Sequence, residues 1–176
     1  MGAAMVASDM PILSELARTV IERAISTGAM VTTAESCTGG MVAAALTDIA
    51  GASAVLDRSL VTYSNAAKID LLGVPDAILQ AHGAVSQQTA TAMALGALQA
   101  APDARIAIAI TGIAGPGGGT ADKPVGLVWF GLALRDGEAV TTHHVFPGDR
   151  ATVRHAATAA ALGMLMEGLA RSQRSG

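Results

Sequence analysis

Met30-Val31-Thr32-Thr33-Ala34-Glu35-Ser36-Cys37-Thr38-Gly39-Gly40 runs from an apolar approach into a pair of glycines, and Met41-Val42-Ala43-Ala44-Ala45-Leu46 continues it as a strong helix former. The pattern predicts a short strand over 30–33 and a helix over 39–50, joined by a turn that presents the Ser36 hydroxyl. Amides at a helix start lack intrahelical partners and sit at the positive end of the helix dipole. Those of Cys37, Thr38, Gly39 and Gly40 are therefore the expected donors to a bound anion, or to the oxyanion of an acyl-transfer intermediate formed at Ser36.

Working outward, apolar residues at Ile12, Leu13, Leu16, Val20, Ile21 and Ala24 recur at helical spacing over 11–24, with Asp9 as N-cap and Gly28 as stop. A second strand is expected over 55–63. Ser64 then caps a helix through Leu72 that ends at Gly73, Pro75 opens a short turn, and Ser86 starts an alanine-rich helix to about Gln99. Residues 105–111 read as a buried strand, because the run is short, apolar, rich in isoleucine and bounded by Pro102 and Gly112. Arg135-Asp136-Gly137 separates strands over 125–134 and 138–146 into an antiparallel hairpin. Asp149 caps a last helix to about Ala170. Alternation of strands and helices that ends in a hairpin predicts an α/β fold, with a mixed sheet covered by helices on both faces.

The 176 residues suffice for one domain with a well-buried core and are too few for two ordinary ones. A single domain over 10–170 is expected, with loose ends at 1–9 and 171–176. Apolar residues make up 51% of the chain, yet every apolar run is broken well short of the roughly 18 residues that span a bilayer. The N-terminus lacks a basic region followed by a long hydrophobic one, so a soluble, cytoplasmic protein without membrane partners is expected. One cysteine excludes an internal disulfide and a cysteine-rich zinc module. His143 and His144 are neighbours on a strand and point to opposite faces, so together with His82 and His155 they are read as structural, and no metal is expected. A net charge of −3, 11 Lys and Arg, and 2% aromatic residues give neither the basic surface nor the stacking platform of a nucleic-acid binder.

Ser36 lies past the first strand, Tyr63 at the end of the second, and Lys68 in the helix after it, so the strand ends can bring all three to one edge. Taken singly, such residues are more often a cap, a surface ring and a solvated charge. Brought together, a buried Lys68 loses proton affinity and can accept the Ser36 proton, with Tyr63 relaying or holding it. Cys37 is a rival nucleophile, but no activating histidine accompanies it, and a small buried side chain is the plainer reading. Thr111-Gly112-Ile113-Ala114-Gly115-Pro116-Gly117-Gly118-Gly119-Thr120 follows a strand and can wrap backbone amides around a phosphate, or serve as a flexible crossover. It matches neither the Walker nor the Rossmann pattern. Arg150 and Arg154, four apart on one helix face, are a possible phosphate clamp or ordinary solvated charges.

Thr33 to Gly40, Val61-Thr62-Tyr63-Ser64-Asn65 with Lys68, His82-Gly83-Ala84-Val85-Ser86, Thr111 to Gly118, and Lys123-Pro124-Val125-Gly126-Leu127-Val128 together resemble the CinA C-terminal domain family, the nicotinamide-nucleotide amidases. The resemblance runs from about residue 10 to 170. It implies a three-layer α/β/α sandwich, a homo-oligomer, and hydrolysis of nicotinamide mononucleotide to nicotinate mononucleotide and ammonia without metal or organic cofactor. By this likeness Ser36 is the nucleophile and Tyr63 and Lys68 handle its proton. Thr111, Gly112, Gly115 and Gly117 line the substrate, and Arg150 or Arg154 meets its phosphate. The pyrophosphatase activity associated with the large N-terminal domain of longer relatives is not expected. A non-catalytic pyridine-nucleotide module and an amidase for another small amide are the competing readings.

Overall fold

The computed structural model describes residues 12–173. Strand β1 (Met30–Glu35) is the interior strand on which the site is built. It pairs in parallel with β2 (Leu56–Val61) on one side and β3 (Ala104–Gly112) on the other. Strands β4 (Leu127–Leu134) and β5 (Val140–Val145) continue antiparallel, giving a five-stranded mixed sheet in the order β2-β1-β3-β4-β5. The expected hairpin is the β4–β5 pair.

Helices cover both faces. Alternate residues of β3 separate the two cores, as a period of two requires. Ile106, Ile108 and Ile110 pack against α1 (Leu13–Thr27), α2 (Met41–Thr47) and α6 (Arg150–Ser172), while Ala107 and Ala109 face α3 (Asn65–Leu72), α4 (Asp76–His82) and α5 (Gln87–Ala100). The second face is built from small residues, and α5 comes close to it. A Cβ at Gly131 would lie 2.3 Å from the Ala90 carbonyl oxygen, and one at Gly96 would lie 1.9 Å from that of Leu72. The result is the expected α/β/α sandwich.

Local chemistry explains most boundaries. Ser64, Ser86 and Asp149 each accept a hydrogen bond from the amide three residues on, and Gly28 and Gly73 end their helices in the left-handed conformation. Asp9 lies outside the described residues, and the N-cap position of α1 is Ile12, with no side-chain cap. Strand β1 runs to Glu35, beyond the expected Thr33, because Ala34 and Glu35 still pair with both neighbours. Helix α2 begins at Met41 rather than Gly39, since Gly39 and Gly40 take φ of 60° and 98°. Helix α6 continues through Ser172, so residues 171 and 172 are helical and not part of a loose end.

Because β2 and β3 flank β1 on opposite sides, a crevice opens at the carboxyl ends of β1 and β3, the place where open α/β sheets bind ligands. Among the described residues no helix is long and apolar enough to cross a membrane.

Candidate active site

The chain leaves β1 at Glu35, and the turn that follows is held from three directions. The Ser36 amide donates to the Ile110 carbonyl of β3 at 2.9 Å. Glu35, fully buried, accepts from the amides of Gly40 (3.0 Å), Val42 (3.1 Å) and Ala43 (2.9 Å). Arg154 on α6 donates to the carbonyls of Cys37 (3.0 Å) and Thr38 (3.1 Å). The turn is rigid by construction, and Ser36 projects from it into a cavity of about 180 Å³.

These contacts correct the expectation for the helix start. The Glu35 carboxylate already occupies the N-terminus of α2, supplying the negative charge that its dipole favours. The Gly39 amide is bonded to the Ser36 carbonyl. Gly39 and Gly40 therefore have no amide to give a ligand. The Cys37 and Thr38 amides have no backbone acceptor among the described residues, and of the two residues only Cys37 lines the cavity. Glu35 is a functional residue that the strand and helix pattern does not single out, although an acid at the entry to a helix is the signal that marks it.

Lys68 sits in the first turns of α3, which Ser64 caps and so fixes in angle. Its Nζ donates to Ser36 Oγ at 3.0 Å and to the Thr62 carbonyl at 2.7 Å. The side chain is 1% exposed, and among the described residues no carboxylate pairs with it. Burial without a counterion disfavours the ammonium form and lowers its pKa from the usual 10.5 to about 8. An unpaired buried lysine costs stability, so its position beside a hydroxyl is a functional signature. Cys37 is affected in the opposite sense. Burial, with a smaller contribution from the Glu35 charge, raises its thiol to about 11, so it stays protonated and unreactive at neutral pH.

Tyr63 lines the same cavity but is 60% exposed, and its hydroxyl accepts from Arg150 Nη2 at 2.8 Å. Among the described residues it has no hydrogen bond to Ser36 or Lys68. Arg150 also donates to the Gly115 carbonyl at 2.9 Å and lines the cavity. Arg154 does not line it, its guanidinium being committed to the Ser36 turn, which separates two residues the sequence left equivalent.

From β3, Thr111 and Gly112 reach the cavity, and the Thr111 hydroxyl donates to the Ala84 carbonyl at 2.7 Å. A Cβ at Gly112 would lie 2.7 Å from the Val128 side chain, so close strand packing also demands glycine there. Neither Gly115 nor Gly117 is among the lining residues; Ala114 lines the cavity in their place, and Gly115 acts from behind it by accepting from Arg150 through its carbonyl. The glycine loop thus meets the cavity at its start and not as an amide cradle. Ala84 and Val85, between α4 and α5, complete the wall.

The family model of the CinA C-terminal domain matches residues 13–169. A nicotinamide-nucleotide amidohydrolase PncC from Escherichia coli (strain K12) is 52% identical over 155 residues, covering 88% of this chain and 93% of that protein. Its counterpart from Enterobacter agglomerans is 58% identical over 127 residues, covering 72% and 77%. A CinA-like protein of Mycolicibacterium gilvum is 53% identical over 146 residues, a match that covers only 34% of that longer chain. Among solved structures, the competence/damage inducible protein CihA from Agrobacterium tumefaciens superposes with a TM-score of 0.87 at 50% identity, over 90% of this chain and 96% of that one.

Proposed function

The chain belongs to the CinA C-terminal domain family, and from that membership and the contact between Lys68 and Ser36 we propose that it hydrolyses the carboxamide of nicotinamide mononucleotide to the carboxylate and ammonia. The observation that carries this reading is the buried, unpaired Lys68 Nζ 3.0 Å from the Ser36 hydroxyl. It is a base next to a nucleophile, with its proton affinity lowered toward the working range. The PncC amidohydrolases, 52% and 58% identical, support the choice of substrate.

In the proposed reaction Lys68, in its neutral form, takes the Ser36 proton as Oγ attacks the carboxamide carbon. The electron-withdrawing pyridinium makes that carbon more electrophilic than in an ordinary amide. The tetrahedral oxyanion is met by the Cys37 amide, which adjoins the nucleophile and donates to no backbone carbonyl among the described residues. Lys68 then passes its proton to the departing nitrogen, which leaves as ammonia, and an ester of Ser36 remains. Water enters, loses a proton to Lys68 and attacks the ester carbon. Collapse returns the proton from Lys68 to Ser36 Oγ and frees the carboxylic acid, which loses its remaining proton to solvent as the carboxylate leaves.

Tyr63 and Arg150 form the outer lip. Arg150 is the phosphate ligand, and Tyr63 orients its guanidinium through the 2.8 Å bond, a role that replaces the proton relay expected of it. A homo-oligomer is part of this reading and is tested by sedimentation. The functional test is an ammonia-release screen over nicotinamide mononucleotide, nicotinamide riboside, nicotinamide and unrelated amides. Preference for the phosphorylated compound, lost in Arg150→Ala, is expected. Tight binding of the mononucleotide with no ammonia released would leave only a binding module.

A further inference from the structure

The cavity around Ser36, at about 180 Å³, is below the roughly 300–1,000 Å³ usual for a pocket that encloses a whole small ligand. It suits a carboxamide and its ring. A second cavity of about 490 Å³ adjoins it on the same face of the sheet. The two share Val85 as a wall, and Thr111, which lines the first, is the cross-strand partner of Trp129, which lines the second.

Trp129 is the sole tryptophan of the chain. It is half-buried and packs against the His143 ring, with centroids 4.4 Å apart. Two residues on, Gly131 lets α5 press against the sheet, so the first turn of that helix carries Gln87 and Gln88 to the cavity rim. On the other side Lys123 is anchored by a 2.6 Å bond to the His82 carbonyl, which aims a cation at the cavity. A flat aromatic wall, two side-chain amides that can donate and accept, and a fixed cation are the elements that recognise a base, its polar edge and a phosphate. The reaction proposed above uses none of them.

We propose that this cavity is a second nucleotide subsite. It takes an adenine nucleotide, with the base against the Trp129 ring, which His143 backs, its edge read by Gln87 and Gln88, and the phosphate on Lys123. Two sources share this chemistry, a free adenine mononucleotide and the adenylate half of a pyridine dinucleotide whose nicotinamide enters the Ser36 cavity past Val85. Only the second source rests on the amidase reading.

Trp129 fluorescence in the full chain reports the cavity directly. Saturable quenching by adenosine monophosphate is expected, with affinity at least about tenfold weaker in Lys123→Ala and in Gln88→Ala, the loss of one charge-assisted contact or one bidentate amide. Calorimetry on a folded Trp129→Phe variant is expected to show the same weakening. If the dinucleotide binds at least tenfold more tightly than the mononucleotide and competes with nicotinamide mononucleotide for turnover, the two cavities act as one dinucleotide site. Equal affinity without competition assigns the subsite to a free mononucleotide. Absence of quenching by both at millimolar concentration, or quenching untouched by Lys123→Ala, overturns the proposal. Quenching that persists where ammonia release fails would retain the subsite and reject the amidase.

Discussion

Two side chains that line the same cavity, Lys68 from α3 and Cys37 from the turn after β1, meet opposite fates. Lys68 is pulled toward neutrality by burial while Cys37 is held as a thiol, so one dry environment lowers the pKa of the amine and raises that of the thiol, which suits the proposed base and disfavours the rival nucleophile. Cys37→Ala is accordingly expected to keep ammonia release within about threefold of the parent, and alkylating reagents should label the native thiol slowly. The pH–rate profile should rise with one limb near pH 8, as Lys68 loses its proton, and that limb should be absent from any residual turnover of Lys68→Met. The same variant is expected to lose about 10³-fold or more in kcat. It should also melt higher at neutral pH, by about 2 kcal/mol, because a buried unpaired ammonium is replaced by an apolar chain of similar length. A lysine present only for stability would show the reverse.

At the level of the element, the unit formed by β1 and α2 owes its geometry to Glu35, which ties the end of the strand to the N-cap amide of Gly40 and the helical amides of Val42 and Ala43. Glu35→Ala leaves those donors buried and unmatched, and a loss of about 3 kcal/mol in a thermal or urea melt is expected. Gly96→Ala should cost about 2 kcal/mol, since its methyl group would overlap the Leu72 carbonyl where α3 and α5 cross. The two effects differ in what the sequence revealed. Ser64, Ser86 and Asp149 announce helix starts, and Gly28 and Gly73 announce helix ends, because capping is chemistry between residues three to five apart. Partners of Glu35 up to eight residues away, and the partners of Arg154 more than a hundred residues away, depend on how elements meet, which no local pattern encodes. For that reason Arg150 and Arg154 look alike in the chain and play different parts in the fold.

Across the whole molecule, the two faces of the sheet divide the work. The isoleucine face packs α1, α2 and α6 into a conventional core, and the alanine and glycine face lets α3 and α5 approach closely enough to deliver Lys68 to the end of β1. The layer order was legible in the alternation of strands and helices and in the Asp136-Gly137 turn. The convergence of Ser36 with Lys68 was legible as strand-end residues on one edge, whereas the Trp129 cavity was not, because it arises where a hairpin passes a helix end. Stability should carry the signature of both buried groups. Between about pH 8 and 9 the unfolded Lys68 still holds its proton and the folded one releases it, so stability rises with pH. From about pH 9 to 11 the unfolded Cys37 ionises while the folded thiol does not, a contribution that falls with pH and opposes the rise due to Lys68. Urea melts of the parent, Lys68→Met and Cys37→Ala across this range should separate the two slopes.

The proposed chemistry requires an ester on Ser36. Acid-quenching the enzyme during turnover of nicotinamide mononucleotide and weighing its peptides should find the nicotinate-nucleotide acyl group on the peptide that contains Ser36, and no adduct or ammonia with Ser36→Ala. Undiminished ammonia release by Ser36→Ala, with every peptide unmodified in the parent, would contradict it.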